Sequence, residues 1–238
     1  MKWVAQGHEL DKIAKQILWN CKSRDKFYIY GAGNLGKQLL ETLRRNGHFS
    51  AFIDNDVSKQ INGFCDESVI KFEDYKDMGN HNIIIIAASE KNTIEIKKEL
   101  DNEGFLANKD YYTYEEFLNQ IYPIIAMYCH DELFMSLCQI VLTERCSLKC
   151  KKCAHACYAT DYQTEDMTLE QVANSANNFF KRVDYIHEFV LIGGEPLLYK
   201  DLSKAIEYIG GKYRRQMGTF SITTNGTIMP DMDIIKAC

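Results

Sequence analysis

Three cysteines, Cys146, Cys150 and Cys153, stand in the pattern C-x3-C-x2-C just after an apolar run that reads as a strand. Thiolates are ligands for zinc and for iron–sulfur clusters. Three of them can hold three irons of a [4Fe–4S] cube and leave the fourth iron without a protein ligand. Such a cluster can bind and reduce a small molecule, whereas a cube closed by four cysteines only passes electrons. Cys157 keeps a second reading open. Cys146, Cys150, Cys153 and Cys157 together could close a zinc tetrahedron or a four-thiolate cube. The remaining cysteines, Cys21, Cys65, Cys129, Cys138 and Cys238, are scattered and read as ordinary thiols.

Two further clusters share the second half of the chain. Gly193-Gly194-Glu195-Pro196 closes the apolar run Phe189–Ile192, and Thr224-Asn225-Gly226 closes the run Phe220–Thr224. The cysteine loop follows the run Cys138–Thr143. Helices are predicted between the strands. One begins at Thr168, where Thr168 and Gln171 form a capping box, with Leu169, Val172, Ala176, Phe179, Phe180 and Val183 on its apolar face. The next begins at Asp201 and carries Leu202, Ala205, Ile206 and Ile209. All three candidate clusters therefore sit at carboxyl ends of strands, where the loops of a βα barrel converge on chemistry. Glycines there allow close backbone approach to a ligand. A strand-end carbonyl or the Glu195 carboxylate suits an ammonium group. Thr-Asn-Gly is also good turn chemistry in its own right.

Leu142-Thr-Glu-Arg-Cys-Ser-Leu-Lys-Cys-Lys-Lys-Cys153, with Gly193–Pro196 and Thr224–Gly226 in that order, resembles the radical S-adenosylmethionine (radical SAM) enzymes from about Cys138 onward. The resemblance implies a partial (βα)6 barrel of which this chain holds three units, so that the sequence reads as truncated. It implies a [4Fe–4S] cluster on Cys146, Cys150 and Cys153, with S-adenosylmethionine on its open iron. Gly193, Gly194 and Glu195 would support the methionine amino group, and Asn225 lies where some relatives touch the methionine end. An electron from the cluster would split the sulfonium to methionine and a 5′-deoxyadenosyl radical, which abstracts hydrogen from a substrate. The family often has an aromatic ring before its third cysteine, and here that position is Lys152. His155 reads as a loop histidine or as a residue near substrate. Arg145, Lys149, Lys151 and Lys152 make the loop basic. This is either a solvated face or a docking patch for an acidic electron donor such as flavodoxin or ferredoxin.

The first half carries a different pattern. Phe27–Tyr30 is a short buried strand, and Gly31-x-Gly33-x-x-Gly36 leads from it into a helix with Leu35, Leu39, Leu40 and Leu43 on one side. A second strand, Ser50–Ile53, ends at Asp54, 23 residues after Gly31. This is the context of a dinucleotide-type phosphate loop: a tight turn, a helix N-terminus facing phosphate and an acid for ribose hydroxyls. A third strand at 82–88 and a helix at 93–103 complete an α/β alternation that argues a doubly wound parallel sheet. Tyr30–Lys37 with Phe52–Asp56 also resembles the Rossmann-like domains of bacterial sugar acyltransferases and polysaccharide-biosynthesis proteins, which implies a nucleotide-sugar ligand. No Tyr-x-x-x-Lys pair supports dehydrogenase chemistry, and a scaffold or docking module remains open. The expected organisation is an N-terminal amphipathic helix in 1–25, with Leu10, Ile13, Ala14, Ile17 and Leu18 on one face, a Rossmann-like nucleotide-binding domain in 26–110, a linker in 111–136 broken by Pro123, and a radical SAM domain in 137–238.

Composition narrows the classes. Apolar residues make up 46% of the chain, enough for packed cores, and the net charge of −5 gives no general reason to expect nucleic acid. The first residues do not read as a secretory signal, and the longest apolar runs are too short to span a bilayer. A reducing cytoplasm is therefore expected, where clustered cysteines bind metal more often than they form disulfides. Three functions follow: a radical SAM enzyme acting on a carbohydrate or nucleotide-sugar-linked substrate, a radical SAM maturase of peptides or proteins, or a non-enzymatic metal-binding module.

Overall fold

A computed structural model describes residues 9–21, 24, 26–79, 82–157, 159 and 165–238. The chain divides into two compact units, Met1–Glu132 and Leu133–Cys238.

In the first unit α1 (Glu9–Cys21) precedes β1 (Phe27–Tyr30), α2 (Asn34–Arg45), β2 (Phe49–Ile53), α3 (Val57–Asn62), β3 (Val69–Ile70), α4 (Phe72–Asp77), β4 (Ile83–Ile86), α5 (Glu90–Asn102) and β5 (Tyr111–Thr113). The five strands are all parallel, in the order β3-β2-β1-β4-β5. This is a doubly wound sheet whose order reverses between β1 and β4, and ligand crevices form at that switch point. Every residue of β1 and β4 is buried, as central parallel strands covered on both faces require. On α2 the apolar positions Leu39, Leu40 and Leu43 are all buried, as their spacing predicts. The α1 face is less regular. Ala14 is buried, but Ile13 is 54% exposed.

The stretch read as a linker is structured. After β5, Thr113 and Glu116 form a capping box for α6 (Tyr114–Glu116), which continues through a π-helical turn, Phe117–Ile121, into α7 (Tyr122–His130). Pro123 does not end this helix. It stands in the first turn of α7, and the wider π turn before it absorbs the hydrogen bond a proline cannot donate.

The second unit holds β6 (Phe134–Val141), α8 (Leu169–Phe180), β7 (Tyr185–Ile192), α9 (Leu202–Tyr213), β8 (Met217–Ile222) and α10 (Met232–Ala237). Its three strands are parallel in the order β6-β7-β8, paired through Val141↔Ile192 and Leu191↔Ile222 near their ends. The α8 capping box forms between Thr168 and Gln171 as predicted. Val172, Ala176 and Phe180 of α8, with Leu202, Ala205, Ile206 and Ile209 of α9, pack on Ile140, Phe189 and Leu191 of the sheet. The fold is thus α/β with parallel sheets, and the second unit has the architecture of a partial (βα) barrel. No described helix is long and apolar enough to cross a membrane.

Candidate functional site

The carboxyl ends of β6, β7 and β8 are stitched together by hydrogen bonds. The β6–β7 ladder runs on past both strands. Leu142 N–H donates to Ile192 O at 2.8 Å, Gly194 N–H to Thr143 O at 2.8 Å and Glu195 N–H to Arg145 O at 2.8 Å. This pairing explains the two glycines. A Cβ on Gly193 would lie 2.5 Å from Thr143 O, and one on Gly194 would lie 2.3 Å from Arg145 O. The glycines therefore permit a close approach between the end of β7 and the chain that follows β6. The space that their missing side chains leave is filled by the backbone entering the cysteine loop.

Glu195 has protein partners of its own. It is fully buried. Its carboxylate accepts Leu197 N–H at 3.0 Å, the Thr224 hydroxyl at 2.8 and 2.9 Å and Asn225 N–H at 2.8 Å. The side chain therefore clamps the end of β8 to the end of β7. The Asn225 side chain then reaches the cysteine loop, donating to Ser147 Oγ at 3.1 Å and to Cys146 Sγ at 3.6 Å.

Within the loop, Cys146 Sγ also accepts Leu148 N–H at 3.4 Å. Backbone N–H groups of Cys157 and His155, with a smaller share from Ala156, hold the Cys153 thiol below the usual range and favour its thiolate. Ala156 adopts a left-handed φ of 51° at this turn. Cys157 moves the opposite way. Burial, and then the neighbouring Cys153 and Cys146 sulfurs, push it up to about 11. The two neighbouring thiols are thus shifted in opposite directions. Cys150 is exposed on the loop.

Zinc bound tetrahedrally at about 2.3 Å from sulfur needs thiolates within about 4 Å of one another. Among the described residues no three His, Cys, Asp or Glu side chains form a preassembled metal-ion site of any kind. A cube takes one thiolate per iron corner and spreads them more widely. The donor set of three cysteines on one loop, two of their sulfurs already held by N–H donors, suits an iron–sulfur cluster.

Arg145 does not belong to a basic docking face. Its Nε bonds Asp166 Oδ1 at 3.0 Å and its NH2 group pairs with Asp166 Oδ2, while the same group donates to Leu198 O at 2.8 Å. Thr143 Oγ1 adds a bond to Asp166 at 2.6 Å. Against the cost of burial, Arg145 and Thr143 hold the Asp166 carboxyl below its ordinary range. No sequence signal marks this anchor, because Asp166 lies 21 residues away in a stretch without periodicity. Lys149, Lys151 and Lys152 remain exposed, as does His155.

In the first unit the glycine loop has the geometry its spacing predicts. Gly31 has a φ of +118°, and a Cβ there would meet Ala87 O at 2.4 Å. A Cβ on Gly36 would lie 2.2 Å from Gly31 O, so this glycine lets α2 pack close to β1. Around Gly33, the N-cap of α2, a Cβ would meet nothing within 4 Å, and no side chain caps that end. Asp54 is placed at the end of β2 but is already engaged. It accepts Ala32 N–H at 2.8 Å and Asp56 N–H at 2.9 Å and pairs with Lys59 at 3.2 Å. Burial alone would raise its pKa, but these donors outweigh it and hold the carboxyl low. Beside the loop lies a crevice of about 450 Å³ lined by Tyr30, Gly31, Asp54, Asn55, Asn92 and Glu99 among others.

Residues 140–237 match the family described as the radical SAM superfamily. This part of the chain is a radical SAM domain. The superfamily uses a [4Fe–4S] cluster and S-adenosylmethionine. The chain is also similar to two proteins named GTP 3′,8-cyclase. The one from Erythrobacter litoralis is 31% identical over 93 residues, 39% of this chain and 27% of that protein. The one from Marinobacter nauticus is 30% identical over 94 residues, 40% of this chain and 27% of that protein. The chain thus spans about a quarter of the length of these relatives. No solved structure matches it significantly. The sugar-acyltransferase likeness of the first unit finds no support among these relatives.

Proposed function

We propose that this protein is a radical SAM enzyme acting on a nucleotide-linked substrate. The observation that carries the reading is the convergence of the three strand ends: Cys146, Cys150 and Cys153 after β6, Gly193–Glu195 after β7 and Asn225 after β8, joined through the buried Glu195 carboxylate. When bound, the cluster and S-adenosylmethionine supply a 5′-deoxyadenosyl radical that abstracts hydrogen. The chain's own share is to hold and orient. Cys146, Cys150 and Cys153 hold three irons. The peptide carbonyls of Gly193 and Gly194 serve the methionine ammonium. Glu195 acts indirectly, by fixing the loop ends. Lys149, Lys151 and Lys152 offer positive charge to an acidic electron donor such as flavodoxin or ferredoxin.

The substrate class rests on two supports. The relatives are named for a reaction of GTP. The first unit has an open Gly33 at an uncapped helix N-terminus, which suits a phosphate. Asp54 could reach a ribose only in competition with Lys59. A nucleotide-sugar is the carbohydrate form of this reading.

Anaerobic reconstitution should give a brown protein with iron and sulfide in equal amounts. With dithionite it should release 5′-deoxyadenosine from S-adenosylmethionine. A colourless protein holding zinc, or an intact cluster that releases none, contradicts the reading. Calorimetry with GTP and a nucleotide-sugar tests the first unit. Binding that is lost in Gly33→Asp supports the phosphate loop, and equal binding by the variant removes it.

A further inference from the structure

The Asn225 carboxamide can be oriented without ambiguity, and its orientation reaches the cluster loop. Its Oδ1 accepts the backbone N–H of Thr227 at 2.9 Å and the Thr227 hydroxyl at 2.7 Å. A backbone N–H can only donate, so the oxygen must face Thr227. The NH2 group then faces the cysteine loop. Its two hydrogens have two acceptors, Ser147 Oγ at 3.1 Å and Cys146 Sγ at 3.6 Å. The Ser147 and Thr227 hydroxyls also bond each other at 2.6 Å, closing a ring around the amide. Behind it, Glu195 holds the Asn225 backbone N–H at 2.8 Å and the Thr224 hydroxyl at 2.8 Å. All four hydrogen-bonding positions of the amide are accounted for, and one of them is a sulfur expected to ligate iron.

We propose that Asn225 is a positioning residue that donates an N–H to the Cys146 thiolate and thereby raises the reduction potential of the cluster. This inference rests on the cluster reading given above. Reduction adds negative charge that is shared between the irons and their thiolate sulfurs. A fixed N–H dipole aimed at one of those sulfurs stabilises the reduced form more than the oxidised form. The buried Glu195 keeps that donor from turning away. It does so through the backbone of Asn225, so its negative charge is not itself aimed at the sulfur. The role assigned to Asn225 is thus electronic, whatever else it touches when a co-substrate is bound.

The test is a redox titration of the reconstituted full chain, followed by the electron paramagnetic resonance signal of the reduced cluster, without S-adenosylmethionine. Asn225→Asp keeps the acceptor for Thr227 and replaces the donor, and Asn225→Ala removes both. Iron and sulfide content is measured for each. The expected result is normal cluster content with a lower midpoint potential in both variants. A tenfold fall in the reduced-to-oxidised ratio at fixed potential corresponds to about 59 mV for a one-electron couple. Full cluster content with an unchanged midpoint in both variants overturns the proposal. Failure of both variants to hold any cluster also overturns it, since the amide would then act in assembly rather than on potential. A parent protein that takes up no cluster overturns the cluster reading itself, a result distinct from the other two.

Discussion

Cys153 and Cys157 are four residues apart, yet the fold treats their thiols in opposite ways. Backbone N–H groups of Cys157 and His155 lower the Cys153 pKa, whereas burial and the neighbouring sulfurs raise that of Cys157. Replacing Cys146, Cys150 or Cys153 by alanine should abolish the visible absorbance of the reconstituted protein. Cys157→Ala should keep it, and iron analysis of the four variants checks the division. The buried His187 supplies a separate prediction. Desolvation pushes it down to about 4 from an ordinary value near 6.5. Between those values the unfolded chain binds a proton that the folded chain does not, so stability falls as pH drops from about 6.5 to about 4. The full effect is about 3 kcal/mol, from roughly 1.4 kcal/mol per pKa unit. Urea unfolding across this range should show the slope in the parent. His187→Leu should flatten it.

At the scale of elements, the glycines divide by what surrounds them. Gly194→Ala would drive a methyl into Arg145 O and push the cysteine loop off β7, so loss of cluster uptake is expected although no side chain of the site is changed. Gly33→Ala meets nothing within 4 Å and should leave the melting temperature of the protein nearly unchanged. The capping box of α8 is worth about 1 kcal/mol, which Thr168→Ala should lose in denaturant unfolding. Much of this was legible from spacing. The α8 cap, the apolar faces of α8 and α9, and the turns at Gly31 and Gly36 follow local rules that a single strand–helix unit obeys. Between 111 and 136 the residues 114–120 read as helical and the structure has helix there, but its continuation past Pro123 was not legible, because the π turn before Pro123 leaves no local period. The Arg145–Asp166 anchor and the inward turn of Glu195 were hidden for a related reason. Both are contacts between separate strand ends, and the type of residue does not reveal which way a carboxylate faces.

On the scale of the whole molecule, two parallel-sheet units share one chain, each with its own core. Both place their glycine-rich turns at the carboxyl ends of strands. In the first unit this builds an open helix N-terminus. In the second it builds a set of three loops bound to one another around Cys146. Binding of S-adenosylmethionine requires a vacant iron in that second set. Electron paramagnetic resonance of the reduced, reconstituted chain, with and without S-adenosylmethionine, tests this most directly. A [4Fe–4S] signal that changes in shape when S-adenosylmethionine is added is the expected result. A signal unaltered by saturating S-adenosylmethionine would mean that the protein itself closes the cube, and would contradict the account.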